Sequence, residues 1–184
     1  IEQVLDFGDF QIEAFHVNHN ITCYGYNMII HRTGKFSVDK AKEQQIPMPY
    51  WNRLQKGEVI ETPEGIYTPD MVLGPPRKGI KLTYCTDSRP TDLIVKNAHQ
   101  ADLFVCEGMY GEPDMIQKAR EHRHMTFYEA AEMAKSAEVT SLWLTHYSPS
   151  LVNPRIFMPE VKKIFPNAHA GKDAMTITLD FEDE

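Results

Sequence analysis

Absences narrow this sequence before its contents do. No apolar run approaches the roughly 18 residues that a membrane helix needs, and no signal peptide opens the chain. Cysteine is scarce: Cys23, Cys85 and Cys106 are an odd number without C-x-x-C spacing. That argues against a disulfide framework or a zinc knuckle and for a reducing cytoplasm. Positive charge is also short, with 19 Lys and Arg against 26 Asp and Glu for a formal net charge of −7. A globally basic nucleic-acid glove is excluded, though a local basic patch is not. No P-loop, G-x-G-x-x-G or G-x-S-x-G occurs, and Gly74-Pro75-Pro76 is a rigid turn rather than a phosphate cradle. What is left is an ordinary globular composition, 42% hydrophobic over 184 residues, enough to bury one domain's core.

Apolar residues at roughly alternate positions from Val4 to Val17, broken by Gly8, predict strands, and Tyr24 to Ile30 predicts another. From Arg32 to Gly79 prolines and glycines cut the pattern into short pieces. This excursion is expected to hold one short helix near Val38 to Gln44 and a hairpin around Pro63-Glu64-Gly65. After Gly79 strand and helix alternate. Strands are predicted at Ile80–Cys85, Leu103–Cys106 and Ser141–Thr145, with a final one at Met175–Phe181. Helices are predicted from Pro90 to His99, from about Pro113 to Glu121, and from the Thr126-x-x-Glu129 capping box through Glu138. Phe127, Tyr128 and Trp143 read as core aromatics. The alternation predicts an α/β layered fold.

Asp87, Glu107 and His146 each lie just past the end of a predicted strand, where the loops of an α/β sheet converge on a binding crevice. His19 sits in the polar interruption His16-Val17-Asn18-His19-Asn20 after a strand-like run. Imidazole and carboxylate suit zinc, and a carboxylate has two oxygens to share between metals. Each residue also has a structural reading: Asp87 as an Asx turn or cap, His146 as a turn histidine, His19 as a satisfied polar group. The spacing alone leaves a metal site and these structural uses both open. His16, His31, His99, His122 and His169 read as surface or structural residues.

Along nearly all of the chain, in order, the sequence resembles bacterial ribonuclease Z of the metallo-β-lactamase superfamily. Phe15-His16-Val17-Asn18-His19 through Tyr24-Gly25-Tyr26 resembles the family's histidine motif ahead of a Tyr-Gly-Tyr strand. Leu73-Gly74-Pro75-Pro76-Arg77-Lys78-Gly79 resembles its return to the core, and Thr86-Asp87-Ser88-Arg89 its Gly-Asp-Thr-Arg motif. Leu144-Thr145-His146-Tyr147-Ser148 resembles Leu-Thr-His-x-Ser, and Phe165-Pro166-Asn167-Ala168 the closing segment.

The resemblance implies an αββα sandwich of which this chain is the C-terminal half only, with an inserted protruding arm. Residues 1–31 are then core strands carrying the first metal-ligand histidine, 32–79 the tRNA-binding arm and return, and 80–184 the second half of the core. It implies His19, Asp87 and His146 as ligands of two zinc ions (manganese as an alternative), with Asp87 bridging. It also implies His124, matching a His-Ser-Thr loop, as the residue that assists the leaving group. Glu107, matching a His-Glu-Ala-Thr loop, would support that histidine. Cys106, Gly108, Met109, Met125 and Thr86 depart from the family pattern without removing a metal ligand.

Between Arg32 and Gly57 lie six basic residues (Arg32, Lys35, Lys40, Lys42, Arg53 and Lys56) and two acidic ones (Asp39 and Glu43), a local +4. The resemblance implies that Lys35, Lys40, Lys42, Arg53 and Lys56 contact a precursor tRNA, the arm of one subunit of a homodimer gripping RNA that the other cuts. Tyr50 and Trp51 are expected to pack rather than touch RNA. The family's His-x-His-x-Asp-His motif is absent. The expectation is a chain whose N-terminal half is missing, inactive alone, with the apolar face of its sheet exposed and no membrane partner. Two alternatives carry forward: another dinuclear hydrolase of the superfamily, phosphodiesterase or arylsulfatase-like, and a non-catalytic RNA-binding or dimerisation fragment.

Overall fold

Apolar alternation builds the first three strands as expected. In the computed structural model, which describes residues 3–182, β1 (Gln3–Asp6), β2 (Gln11–Val17) and β3 (Cys23–Arg32) form an antiparallel meander. Gly25 lies opposite Phe15, whose ring stands 2.4 Å from where a Cβ at Gly25 would be, so only glycine admits the ring.

The chain then leaves this unit, and His31–Gly79 forms a second compact unit. It holds α1 (Val38–Glu43), capped by Ser37, and α2 (Met48–Gln55), followed by a hairpin of β4 (Ile60–Thr62) and β5 (Gly65–Tyr67). The helix and hairpin expected here are present, but α2 was not expected. Pro47 and Pro49, read as breakers, sit at its N-cap and first turn, where a missing N–H breaks no helical bond. Ala41, Ile46, Leu54, Ile60, Val72 and Leu73 make a small core, with Phe36, Tyr50, Trp51 and Tyr67 packed against it. Tyr50 and Trp51 are thus packing residues, as expected.

The larger unit resumes with β6 (Arg77–Cys85), α3 (Asp92–Ala98), β7 (Leu103–Glu107), α4 (Ile116–His122), α5 (Phe127–Ser136), β8 (Ser141–Thr145), α6 (Met158–Ile164) and β9 (Ala168–Ala170). Strands β6 to β9 run parallel, and the seven strands form one sheet in the order β1-β2-β3-β6-β7-β8-β9. The capping box of Thr126 and Glu129 starts α5 as predicted. Two helix starts and one strand differ. α3 begins at Asp92 rather than Pro90, with Thr91 as its cap, because the Thr91 hydroxyl accepts the Ile94 amide. Pro113 opens a 3₁₀ turn rather than the α-helix itself. Met175–Phe181 forms no strand: period-2 alternation makes a strand only where the segment pairs with a neighbour, and this segment is in neither sheet.

One sheet face carries the core. Phe15, Val17, Cys85, Phe104, Cys106, Leu142 and Leu144 meet Ile94 and Ala98 of α3, the Phe127, Ala130, Ala131 and Ala134 side of α5, and Val161 of α6. Burying each large apolar side chain contributes about 1.5–3 kcal/mol. Register puts the opposite side chains on the other face: Leu5, Ile12 and Met28 in one row, Tyr84, Val105 and Trp143 in another. These are half-buried or exposed, Leu5 at 44% and Tyr84 at 42%. Apolar rows that alternate with a packed core are left facing solvent. Among the described residues no helix is long and apolar enough to cross a membrane, and all three cysteines are free thiols.

Candidate metal and catalytic site

Parallel pairing brings the ends of three strands into line. Cys85 pairs with Cys106 and Glu107 with Thr145, so Asp87, Glu107 and His146 emerge along one sheet edge. The turn after β2 joins them through a bridge between Asn18 and Arg89: the Arg89 amide donates to the Asn18 carbonyl (2.9 Å), and the Asn18 amide donates to Ser88 Oγ (3.1 Å). That contact carries His19 to the same edge. Asp87 and His146 both have left-handed backbone, with φ of 50° and 56°. Non-glycine residues held there cost on the order of 1–3 kcal/mol and persist where their surroundings fix them.

Donor atoms of His19, Asp87 and His124 lie within 4.8 Å of one another, and His146 Nε2 faces Asp87 Oδ1 at 3.0 Å. The rings of His19 and His124 are 4.9 Å apart, and those of His124 and His146 5.6 Å. His19 Nδ1 is 3.1 Å from the Arg123 carbonyl, which only accepts, so Nδ1 carries the hydrogen and Nε2 is the ring nitrogen left for a ligand. Half-exposed imidazoles beside one carboxylate are a donor set that suits zinc and similar divalent metals. The residues present therefore fit a metal, and the sheet edge gathers all five residues that the sequence pointed to: His19, Asp87, Glu107, His124 and His146.

Glu107 is wholly buried and fully engaged. It accepts from the Ser88 amide (2.5 Å), the Met125 amide (3.2 Å) and His124 Nδ1 (3.1 Å). The hydrogen bond that His124 donates to Glu107 raises the His124 pKa above the ordinary imidazole value, partly offset by burial, with the charges of Glu107 and Asp87 adding to the rise. Two positions that depart from the family pattern touch each other: Cys106 Sγ donates to Met125 Sδ at 3.7 Å. Burial pushes the Cys106 thiol well up, so it is an inert packing group.

Three supporting residues escaped the sequence reading. Arg123, in left-handed backbone at the end of α4, holds His19 twice, since its Nη1 also donates to the His19 carbonyl at 2.8 Å. Arg89 donates to the His124 carbonyl (2.5 Å) and forms a two-pronged ion pair with Glu129, which also closes the α5 capping box. Its place beside Asp87 in Asp87-Ser88-Arg89 was the available signal. Tyr147 shares its hydroxyl hydrogen between the carbonyls of Leu144 (2.5 Å) and Gly171 (3.0 Å), and burial pushes its pKa up to about 12.

The proposed RNA contacts belong to the smaller unit. Lys40 Nζ donates to the Leu73 carbonyl (2.7 Å), and Arg53 is ion-paired with Glu58. Residues 31–79 as a whole carry eight Lys and Arg against six Asp and Glu, a net +2, because Glu58, Glu61, Glu64 and Asp70 offset much of the +4 seen nearer its start. Lys42 and Lys56 are exposed.

No family model matches the chain. Curated proteins do: "Ribonuclease Z" of Lachnoclostridium phytofermentans is 56% identical over 181 residues, 98% of this chain and 60% of that protein. Others of the same name match at 42–55% identity, and the chain spans about 60% of the length of the curated relatives first in rank. Among solved structures, the metallo-β-lactamase fold protein YhfI of Bacillus subtilis aligns with a TM-score of 0.56 at 20% identity, covering 91% of this chain and 48% of YhfI. The short form of human tRNase Z aligns with a TM-score of 0.58 at 20% identity, covering 96% of this chain and 45% of that one. Zinc-bound PqqB of Methylobacterium extorquens aligns with a TM-score of 0.52 at 13% identity, covering 97% of this chain and 50% of PqqB. These structures bear out the fold, and the relatives bear out the resemblance that the motifs carry. Over nearly its whole length this chain is similar to curated proteins named ribonuclease Z, and its fold is that of metallo-β-lactamase fold proteins.

Proposed function

We propose that the protein of which this chain is a part is a metal-dependent endoribonuclease. It would remove the 3′ trailer of precursor tRNA by phosphodiester hydrolysis and leave a 3′-hydroxyl. The observation that carries this reading is the gathering of His19, Asp87, His124 and His146 at one sheet edge, with Glu107 buried behind His124, in a chain similar to ribonuclease Z. His19, Asp87 and His146 would hold two zinc ions together with ligands from the remainder of the protein. A bound pair supplies Lewis-acid polarisation of a phosphoryl oxygen and a nucleophilic water at neutral pH. Glu107 keeps His124 Nδ1 occupied, so Nε2 is the atom that would deliver a proton to the leaving oxygen. Arg123 and Arg89 hold the His19 and His124 backbones in place while this happens.

The remainder of the protein would cover the sheet face on which the Tyr84, Val105 and Trp143 row and the Leu5, Ile12 and Met28 row are half-buried or exposed. Without it the chain would be inactive. The intact enzyme would work in the cytoplasm as a homodimer, with residues 32–79 of one subunit gripping the tRNA. Lys42 and Lys56 are the strongest candidates for that grip, because Lys40 and Arg53 already serve local contacts.

In the complete protein, His146→Ala should lose metal and activity together, and His124→Ala should lower turnover while sparing metal content. Metal analysis beside a cleavage assay separates the two, and a metal-free but active His146→Ala protein refutes the assignment. Deleting residues 32–57 should abolish pre-tRNA cleavage while a small phosphodiester is still hydrolysed. Equal loss of both substrates would count against an arm that serves RNA.

A further inference from the structure

A second group of cations lines a hollow beside β9 and has no role so far. Arg155 lies in the 3₁₀ turn Pro154–Phe157, and Met158 and Lys162 follow it at i+3 and i+7, one side of α6. These three, with His169 of β9, Lys172 and Met175, line a cavity of about 420 Å³. Among the described residues no carboxylate lines it. His169 Nε2 faces Asn167 Oδ1 at 2.8 Å, and Glu160 on the same helix pairs with Lys163, which does not line the hollow. Three side chains of one sign around one hollow repel each other in the absence of an anion.

Strand order sets where this hollow lies. β9 runs parallel to β8, with Leu144 paired to Ala170. Beyond that pair the two chains stay tied: the Gly171 amide donates to the Leu144 carbonyl (2.8 Å), and the Tyr147 hydroxyl reaches the Gly171 carbonyl (3.0 Å). A Cβ at Gly171 would lie 2.6 Å from the Leu144 carbonyl oxygen, so glycine is what permits this approach. Lys172 therefore leaves β9 at the edge where His146 leaves β8.

We infer that Arg155, Lys162 and Lys172 form a subsite that seats a phosphate of the RNA chain beside the cleavage site. It rests on the endoribonuclease reading and adds to it a contact for the substrate backbone within the larger unit, apart from the lysines of residues 32–79. The ligand class is a phosphodiester of single- or double-stranded RNA, recognised by charge rather than by base.

The test uses the complete protein and a pre-tRNA with a 3′ trailer. The triple variant R155A/K162A/K172A should raise the pre-tRNA KM by roughly tenfold and lower the salt slope of RNA binding by about 1. Its kcat and its hydrolysis of a small phosphodiester should not change. K163A, which removes a neighbouring cation that does not line the hollow, should behave as wild type. A folded triple variant with wild-type pre-tRNA KM and salt slope overturns the subsite alone. A wild-type protein that neither binds nor cuts pre-tRNA overturns the endoribonuclease reading and the subsite with it. Equal loss in K163A and the triple variant also overturns the subsite, since general surface charge would then explain the effect.

Discussion

The two units of this chain use polar side chains in opposite ways. In His31–Gly79 they mostly close nearby turns: Trp51 Nε1 donates to the Ile46 carbonyl and Arg53 pairs with Glu58, each five residues away. In the larger unit they tie distant segments. Arg123 is 104 residues from the His19 it clamps, and Arg89 is 40 from Glu129. The smaller unit is thus a local structure around a small apolar core, whereas the candidate site exists only once the whole sheet is in register. Chemistry concentrates where long-range contacts over-determine strained residues such as Asp87 and His146.

Three perturbations sharpen that contrast, each made in the complete protein. Glu107→Gln should have the largest effect. It removes a buried charge on which three donors converge, and turnover should fall by roughly 10² with metal content retained. Steady-state kinetics beside metal analysis checks this, and unchanged kcat would remove Glu107 from the site. Next, Leu54→Ala should destabilise the smaller unit by about 2–5 kcal/mol. Hydrogen exchange should then quicken in 31–79 while small-diester hydrolysis is unaffected; faster exchange throughout would deny that the unit folds locally. The smallest effect concerns pH. Because His124 is raised in the folded state, its contribution to stability is fully present below the unfolded imidazole pKa and is lost as pH rises through the folded value. Metal-free wild type should therefore lose stability over that window, and metal-free His124→Ala should not. Urea titrations across pH decide between them.

Much of the site was legible because strand ends can be located from sequence. Apolar runs ending at Cys85, Cys106 and Thr145 place Asp87, Glu107 and His146 on one edge of any parallel sheet, and the ordered motifs added His19 and His124. The supports were not legible. Arg123 acts through left-handed backbone, and Arg89 through a partner 40 residues away, neither of which leaves a local pattern. Helix α2 was hidden because proline has opposite meanings in a helix interior and at its first turn. Met175–Phe181 misled in the other direction, since alternation records a preference for strand and not the presence of a neighbour to pair with.

The central claim is that the histidines and carboxylates of this sheet edge serve tRNA 3′-end cleavage. Its most direct test is to map the cut in an end-labelled pre-tRNA bearing a 3′ trailer, using the complete protein with zinc or manganese, wild type beside His146→Ala. The wild type should make one cut just after the discriminator nucleotide, leaving a 3′-hydroxyl, and the variant should make none. Hydrolysis of a small phosphodiester with no cut in the pre-tRNA would contradict it, keeping the metal site but assigning it to a different substrate.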